Sequence, residues 1–157
     1  MVQDTHSLKD LSLAEQLARV SRLWKMVADR ELAPLGLTHP RWTALWKLQR
    51  LGDNVSQKKL SEALEIELPS LMRTLNQLEQ QSLITRHCCA SDKRARIVGL
   101  TDDGKSLIKK MEARIIQVRR QLLNSIDDDE MKKLSFILEQ ITHNALDALS
   151  EKSETTQ

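Results

Sequence analysis

Apolar and polar positions alternate with a helical period through most of the chain, most clearly between residues 67 and 81. Leu71, Leu75 and Leu78 follow one another at spacings of four and three, which places them on one face of a helix. We predict that this helix begins near Glu67 and runs to about Gln81. A second stripe at helical spacing is polar and is predicted to point away from the core; it contains Ser70, Arg73, Thr74 and Gln77.

A shorter helix is predicted immediately before it, with Ser56 as a favourable N-cap residue. Gln57 and Lys58 follow in its first turn. Free backbone N–H groups and ammonium groups at such a terminus can hold a phosphate. The connection at residues 65–67 is as short as a helix-turn-helix requires. Pro69 is tolerated because the first turn of a helix does not need its missing N–H.

Two β-prone segments follow the second helix, at residues 84–88 and 96–100, and are predicted to pair as a hairpin. The connecting residues place Lys93 and Arg94 at the tip, with Arg96 nearby. A hairpin this short is marginal by itself and must pack against the helices. A basic arm beside a DNA-reading helix can reach the adjacent minor groove, where narrow A·T segments attract arginine.

The polar stripe has the chemistry that reading base edges requires. Serine, threonine and glutamine can hydrogen-bond to base edges, and arginine can hold both acceptors of a guanine. A solvated helix face carries similar residues, so the stripe alone does not decide its own function. The order helix, turn, helix and basic hairpin favours a DNA-binding unit.

Longer apolar repeats precede this unit. The first follows a capping box at residues 12–15 and contains Leu13, Leu17, Val20, Trp24 and Val27. Thr38 is predicted to cap a second helix, which buries Trp42, Leu45, Trp46 and Leu48.

Two further apolar repeats follow the hairpin. Thr101 and the acidic residues after it are predicted to cap a long helix, whose seam at coiled-coil spacing contains Ile108, Met111, Ile115, Val118 and Leu122. Another cap at residues 127–130 opens the last helix, whose seam contains Leu134, Leu138, Ile141, Ala145 and Leu149.

These seams have two interpretations. They pack within one chain as a helical bundle, or the first and last helices of two chains interlock. We favour the second, because a small domain cannot bury every seam and because palindromic operators require a two-fold axis.

Composition is compatible with one domain over residues 1–157, since 40% of the residues are hydrophobic. The net charge is only +2, so the overall charge does not indicate nucleic-acid binding. The distribution of charge is more informative, because basic residues gather in the proposed reading unit: Lys58, Lys59, Arg73, Arg86, Lys93, Arg94 and Arg96.

Several functional classes lack support in the sequence. Scattered histidines give no metal-ligand spacing, and no phosphate-binding loop, nucleophile elbow or paired carboxylates are recognisable, so we expect neither an enzyme nor a cofactor. The polar residues 1–10 and the lack of a long apolar run predict a cytosolic protein without a membrane span. Cys88 and Cys89 are adjacent and cannot staple a fold. A packed thiol pair and a redox-sensing pair remain alternatives.

From residue 17 to about residue 146, the chain resembles the MarR family of regulators, specifically its SlyA and RovA branch. The match includes the wing pattern Asp-x-Arg followed by Leu-Thr, here Asp92, Arg94, Leu100 and Thr101. The other matching stretches are Leu37-Thr38 with Trp42, Pro69-Ser70-Leu71, Arg73-Thr74-Leu75, Gln77-Leu78-Glu79, Leu83-Ile84, Cys89-Ala90-Ser91 and Ala95. The chain departs from the family at Ser82, where a glycine is usual, and at Ile97, where relatives carry a basic residue.

The resemblance implies a mostly α fold with a small β-hairpin wing, a winged helix-turn-helix at about residues 38–101. N- and C-terminal dimerisation helices would occupy about 12–33 and 102–150, and residues 151–157 would form a frayed tail. It further implies a homodimer that represses or activates transcription, in part by displacing a nucleoid silencer from A·T-rich promoters. Asp92 would brace the wing, and Arg94 would enter the minor groove.

The resemblance also implies release of DNA by small aromatic carboxylates. Arg19, Arg22 and Trp42 are the predicted lining of that ligand pocket. A winged-helix module that binds only proteins is the alternative from another class. It would require an acidic or apolar outer face on the reading helix, which the polar stripe does not provide.

Overall fold

The structure, a computed structural model, describes residues 13–52 and 54–154, with side chains as far as Glu151. Contacts divide the chain into two compact units, one ending at Leu122 and the other beginning at Leu123. The elements of the first unit are α1 (Leu13–Leu32), a 3-10 turn (Ala33–Leu35), α2 (His39–Arg50), β1 (Val55–Ser56), α3 (Gln57–Leu64), α4 (Leu68–Gln80), β2 (Ile84–Cys88), β3 (Arg96–Leu100) and α5 (Asp102–Leu122). The second unit contains α6 (Asp128–Glu154).

The predicted hairpin is confirmed, and a third strand joins it. The antiparallel sheet has the order β1-β3-β2, so the strand nearest the start of α3 pairs with the far strand of the hairpin. Ile84 faces Leu100 in one pair, and Val55 faces Val98 in the other. The sequence did not indicate β1, because two residues are too few to show an alternating pattern.

The core of the first unit forms where α4 packs against α2 and the sheet. The buried face of α4 is the predicted one, since Leu71, Leu75 and Leu78 are fully buried. Leu45 and Leu48 of α2 meet them as predicted, whereas Trp42 and Trp46 are only partly buried. The prediction that this helix buries both tryptophans is therefore wrong. For Trp42 the physical reason is that its indole N–H must keep a hydrogen-bond partner near the surface.

Thr38 occupies the N-cap position of α2, but its hydroxyl caps no backbone N–H. It accepts a hydrogen bond from Nε of Arg41 instead, at 3.1 Å. Thr101 does act as the predicted cap of α5, since its hydroxyl accepts the N–H of Gly104 at 3.0 Å. The same hydroxyl donates to the carbonyl of Ser82 at 2.7 Å, which fixes the start of α5 to the end of α4.

The seam of α5 packs inside its own chain. Ile108 and Met111 belong to the core, and Val118 is buried as well. Their partners include α1 and α2. The intramolecular interpretation is therefore correct for this helix. Gly104 permits the start of α5 to lie close to Leu83, because a Cβ there would collide with the carbonyl oxygen of Leu83.

The apolar side chains in the first turns of α1, unlike the seam of α5, are exposed. Leu13, Val20 and Trp24 stay exposed within a single chain, and Ala28 and Leu32 near the end of the helix are buried. The predicted capping box of this helix rests on Ser12, which lies outside the described residues. The apolar repeat is thus a helical face, and most of it has no partner in its own unit.

The second unit is a single long helix with a reciprocal cap. The N–H of Glu130 donates to the Asp127 carboxylate at 2.8 Å, and the N–H of Asp127 donates to the Glu130 carboxylate at 3.0 Å. The helix continues to Glu154, so its end lies beyond the predicted start of a frayed tail at residue 151. Residues 155–157 lie outside the described part. Its seam residues are exposed in this unit: Leu134, Leu138, Ile141, Ala145 and Leu149.

Candidate nucleic-acid interface

The reading helix α4 starts and ends where the sequence predicts, with Glu67 as N-cap and Gln81 as C-cap. Ser70, Arg73 and Gln77 are exposed. The prediction that Thr74 also points away from the core is wrong, because its side chain is only 7% exposed. Its hydroxyl donates to the carbonyl of Ser70 at 3.3 Å.

The helical geometry explains the burial of Thr74. The residue lies three positions after Leu71 and four before Leu78, and both of these are in the core. Thr74 is therefore on the edge of the buried face. Together with Ser70, Arg73 and Gln77 it lines a cleft of about 550 Å³ whose other wall includes His39, Pro40 and Thr43 of α2.

The start of α3 is capped as predicted, since the Ser56 hydroxyl accepts the N–H of Lys59 at 3.1 Å. Lys58 is exposed and lies 4.0 Å from Glu62. The side chain of Gln57 is only 8% exposed, and its Oε1 has no hydrogen-bond partner. This burial contradicts the predicted phosphate contact by that side chain.

Strand β1 explains the position of Gln57. Pairing of Val55 and Ser56 with β3 draws the first turn of α3 beneath the wing. A groove of about 290 Å³ forms there, and its lining comes from both sides: Ser56, Gln57, Lys58, Leu68, Asp92, Arg94, Ala95 and Arg96. The structure thus brings the predicted phosphate contacts and the wing residues together, although 35 or so positions separate them in sequence.

Asp92 organises the turn of the wing. Its carboxylate accepts the backbone N–H of Arg94 at 2.9 Å, and its carbonyl accepts the N–H of Ala95 at 3.1 Å. The Arg94 side chain is 96% exposed and lies 3.8 Å from the Asp92 carboxylate. An ion pair so exposed holds the guanidinium only weakly. Lys93 and Arg96 are exposed as well.

Arg86 of β2 behaves differently from the other basic residues of this unit. Its guanidinium donates to both carboxylate oxygens of Glu79 at 3.0 and 3.2 Å, and to Oδ1 of Asn76 at 2.6 Å. The hydrogen bond from Arg86 lowers the pKa of the Glu79 carboxyl below its ordinary value. Arg86 therefore fastens the hairpin to α4, a role that sequence reasoning missed because nothing local to residue 86 signals it.

The three predicted ligand residues do not converge within the described chain. Trp42 donates its indole N–H to Asp29 at 2.8 Å, and Nδ1 of His39 lies 2.9 Å from the same oxygen. Arg22 precedes Asp29 by two helical turns, about 10 Å along α1, and Arg19 lies further still. Both arginines are exposed. The structure thus gives Trp42 a joining role between α1 and α2.

Both cysteines are free thiols, and they lie where β2 ends and the turn of the wing begins. Cys88 ends β2 and is exposed, while Cys89 is partly buried. Sγ of Cys89 lies 3.1 Å from the Ser91 hydroxyl. Hydrogen bonding from Ser91 holds the pKa of the Cys89 thiol below its ordinary value.

No group of three or more metal-ligating side chains is found among residues 13–52 and 54–154. Among the helices described, none has the length and apolar character needed to cross a membrane.

Residues 37–95 match the model of the MarR family, which covers α2, the helix-turn-helix and most of the wing. The crystal structure of the transcriptional regulator PA3341 is 36% identical, with a TM-score of 0.79 over 85% of this chain and 97% of that one. A cysteine-to-serine mutant of MarR from E. coli, solved with operator DNA, is 21% identical, with a TM-score of 0.77 over 85% of this chain and 95% of that one. The MepR–DNA complex from S. aureus is 23% identical, with a TM-score of 0.76 over 85% and 98%. With this fold, this identity to a known regulator and this family match, the chain belongs to the MarR family of winged-helix transcriptional regulators.

Proposed function

We propose that this regulator binds palindromic, A·T-rich operators as a homodimer, with α4 in the major groove and the wing in the minor groove. The observation that carries the proposal is that Arg73 on α4, Arg94 on the wing and Lys58 on α3 are all exposed cations, and that the last two line one groove. Two relatives of the same fold are described as complexes with DNA. A module that binds only proteins would not require exposed cations on all three of these elements.

Each exposed residue has a proposed role in this complex. Ser70, Arg73 and Gln77 read base edges, because they are the exposed members of the polar stripe. Arg94 enters the minor groove, and Lys93 and Arg96 support it from the wing. Lys58 and the backbone N–H groups capped by Ser56 hold phosphates. Asp92 keeps the wing turn in shape.

The proposed dimer uses α1 and α6. Both helices expose apolar seams within their own units, whereas the seam of α5 is already covered. Exposed apolar area of this extent favours burial against another surface. A second copy of the chain would cover it and would supply the two-fold axis of a palindromic operator.

Membership of the SlyA and RovA branch remains a prediction from the sequence resemblance. If it holds, the regulator both represses and activates, and activation includes displacing a nucleoid silencer from A·T-rich promoters. The exposed guanidinium of Arg94 suits such DNA, because narrow A·T minor grooves attract arginine.

A gel-shift titration tests the proposal, with duplexes selected from a random library and salt varied from low to physiological concentration. In a plot of the logarithm of the binding constant against the logarithm of the salt concentration, the slope should become more negative by about 0.9 for each phosphate contact. Arg94→Ala should weaken sites with A·T flanks more than sites with G·C flanks, and Arg94→Lys serves as the charge-matched control. A protein that selects no duplex would instead be a protein-interaction module.

A redox-sensing regulator is the second candidate, and the hydrogen-bonded thiol of Cys89 favours it. A thiol with a lowered pKa carries more of the reactive thiolate near neutral pH. Peroxide should then weaken operator binding in the natural chain and leave the Cys89→Ser variant unaffected. Unchanged binding after peroxide treatment would make the pair purely structural.

An aromatic carboxylate effector also remains a prediction from the resemblance. Arg19, Arg22 and Trp42 do not converge within one chain, so such a ligand would have to reach them in the proposed dimer. Salicylate at millimolar concentration should lower operator affinity, and Arg22→Ala should blunt the effect. A ligand acts only through its preference for the conformation that does not bind DNA.

A further inference from the structure

The reading helix exposes two apolar side chains that the core does not use. Leu68 is 40% exposed and Met72 is 41% exposed, whereas Leu71, Leu75 and Leu78 complete the buried face. Leu68 and Met72 are four positions apart, so they lie one above the other on the same flank of α4. Their flank is the one opposite Ser70 and Gln77.

Several cations lie around this apolar pair, and the carboxylate of Asp92 lies among them, 3.8 Å from Nε of Arg94. Arg73 follows Met72 on the outer face of α4, and Leu68 lines the groove beneath the wing with Arg94 and Arg96. Cations around a small apolar contact are suited to a partner with an anionic backbone and a few exposed methyl groups.

Double-stranded DNA has that chemistry in its major groove. Thymine is the one ordinary DNA base with a methyl group there, and apolar side chains recognise it by contact. We propose that Leu68 and Met72 contact thymine methyl groups and thereby help to set the operator sequence, an inference that rests on the proposed function. Their Cβ atoms are about 5–6 Å apart. That spacing fits thymines one or two base steps apart, because consecutive steps rise about 3.4 Å.

Replacing thymidine with deoxyuridine isolates this contact. Uracil keeps base pairing and the O4 acceptor and lacks only the methyl group. A duplex selected by the natural chain is synthesised with one substitution at a time, and its affinity is measured by fluorescence anisotropy at constant salt. We expect about fourfold weaker binding at one or two positions in each half-site, the effect of losing one buried methyl group.

Two variants assign the contact to residues. At one of the sensitive positions, replacing thymine with uracil should no longer change the affinity of Met72→Ala. At the neighbouring position, the same replacement should no longer change the affinity of Leu68→Ala. Ile116→Ala is the matched control, because Ile116 is 43% exposed on α5 and lies outside the reading unit. It should retain the full preference for thymine.

The outcomes separate this inference from the function on which it rests. Specific binding with no sensitivity to uracil at any position overturns methyl recognition and leaves the DNA-binding function standing. An undiminished preference for thymine in both Met72→Ala and Leu68→Ala assigns the contact elsewhere and also overturns the proposal. Failure to select any duplex overturns the proposed function and this inference with it.

Discussion

Arginines of the reading unit carry the same charge but have different surroundings. Arg73 and Arg94 are exposed, whereas the Arg86 side chain is only 15% exposed and is bound by Glu79 and Asn76. A guanidinium that already donates three hydrogen bonds has few N–H groups left to donate to a base or a phosphate. Position in the fold therefore decides which members of a basic cluster are free for DNA.

Arg73→Ala is expected to weaken specific binding by about 1–3 kcal/mol and to relax base preference, because the alanine cannot hold both acceptors of a guanine. The measurement is the affinity for a panel of operators with single base-pair changes. Equal weakening on every duplex would reassign Arg73 to a phosphate contact. Arg119→Ala, an exposed arginine on α5, is the control for loss of charge alone.

Glu79→Gln is expected to lower stability at neutral pH by less than about 1 kcal/mol, because the ion pair with Arg86 is partly solvated. The folded chain holds the pKa of Glu79 below its ordinary value of 4.5. The carboxylate therefore stabilises the fold above that value and loses its effect as the pH falls through the folded pKa.

Urea titrations of the natural chain and the Glu79→Gln variant should differ at pH 7 and converge in acid. Glu62→Gln is the matched control, since Glu62 lies at 4.0 Å from an exposed lysine. A difference between the natural chain and Glu79→Gln that persists unchanged into strong acid would show that the ion pair is not its source.

At the scale of elements, the C-terminal end of α4 determines how the wing is placed. The chain leaves α4 through Ser82 in a left-handed conformation, with φ of 59°. The carbonyl of Ser82 then accepts the Thr101 hydroxyl, and the carbonyl of Leu83 accepts the Thr101 N–H at 3.1 Å. Both strands of the wing are thus anchored beside one helix end.

Ser82→Gly is expected to stabilise the chain by about 0.5–1 kcal/mol, because glycine adopts a positive φ without steric cost. The measurement is the midpoint of urea unfolding at constant slope. Ser106→Gly is the matched control, because Ser106 lies in the interior of α5, where glycine should destabilise by a similar amount. Destabilisation by both changes would mean that a contact of Ser82 stabilises the fold by more free energy than its positive φ costs.

At the scale of the whole molecule, the exposed apolar surface is distributed unevenly. The described part of α1 exposes Val20 and Trp24, and α6 exposes Phe136 and Leu149. The seam of α5, by contrast, lies within the core of the first unit. Removing the exposed apolar area of these two helices from water would stabilise the proposed dimer.

Val20→Glu and Leu149→Glu should each convert the dimer into monomers at low micromolar concentration, as measured by sedimentation equilibrium. Both side chains are exposed in a single chain, so the changes leave each unit's own packing intact. A carboxylate buried at a subunit interface without a partner is costly. Lys110→Glu, at an exposed polar position of α5, is the control. Dimers that persist in both variants would remove α1 and α6 from the interface.

The sequence alone determined the features that depend on local periodicity. The bounds of α4, its buried leucines, the two wing strands and the caps at Ser56 and Thr101 all follow from spacings within a few residues. Helical and extended chains repeat at different periods, so the pattern of apolar residues is enough to distinguish them. At Ser82, where the family usually has a glycine, the backbone has a positive φ, which glycine adopts most readily.

Only the tertiary structure decided which side chains remain available on that framework. The pairing of β1 with β3 buried Gln57, and Arg86 was bound by Glu79 across α4 and β2. Packing of α5 inside its own chain left α1 and α6 as the helices with exposed seams. Each outcome depends on contacts between segments distant in sequence, and a residue's spacing does not reveal which surface will cover it.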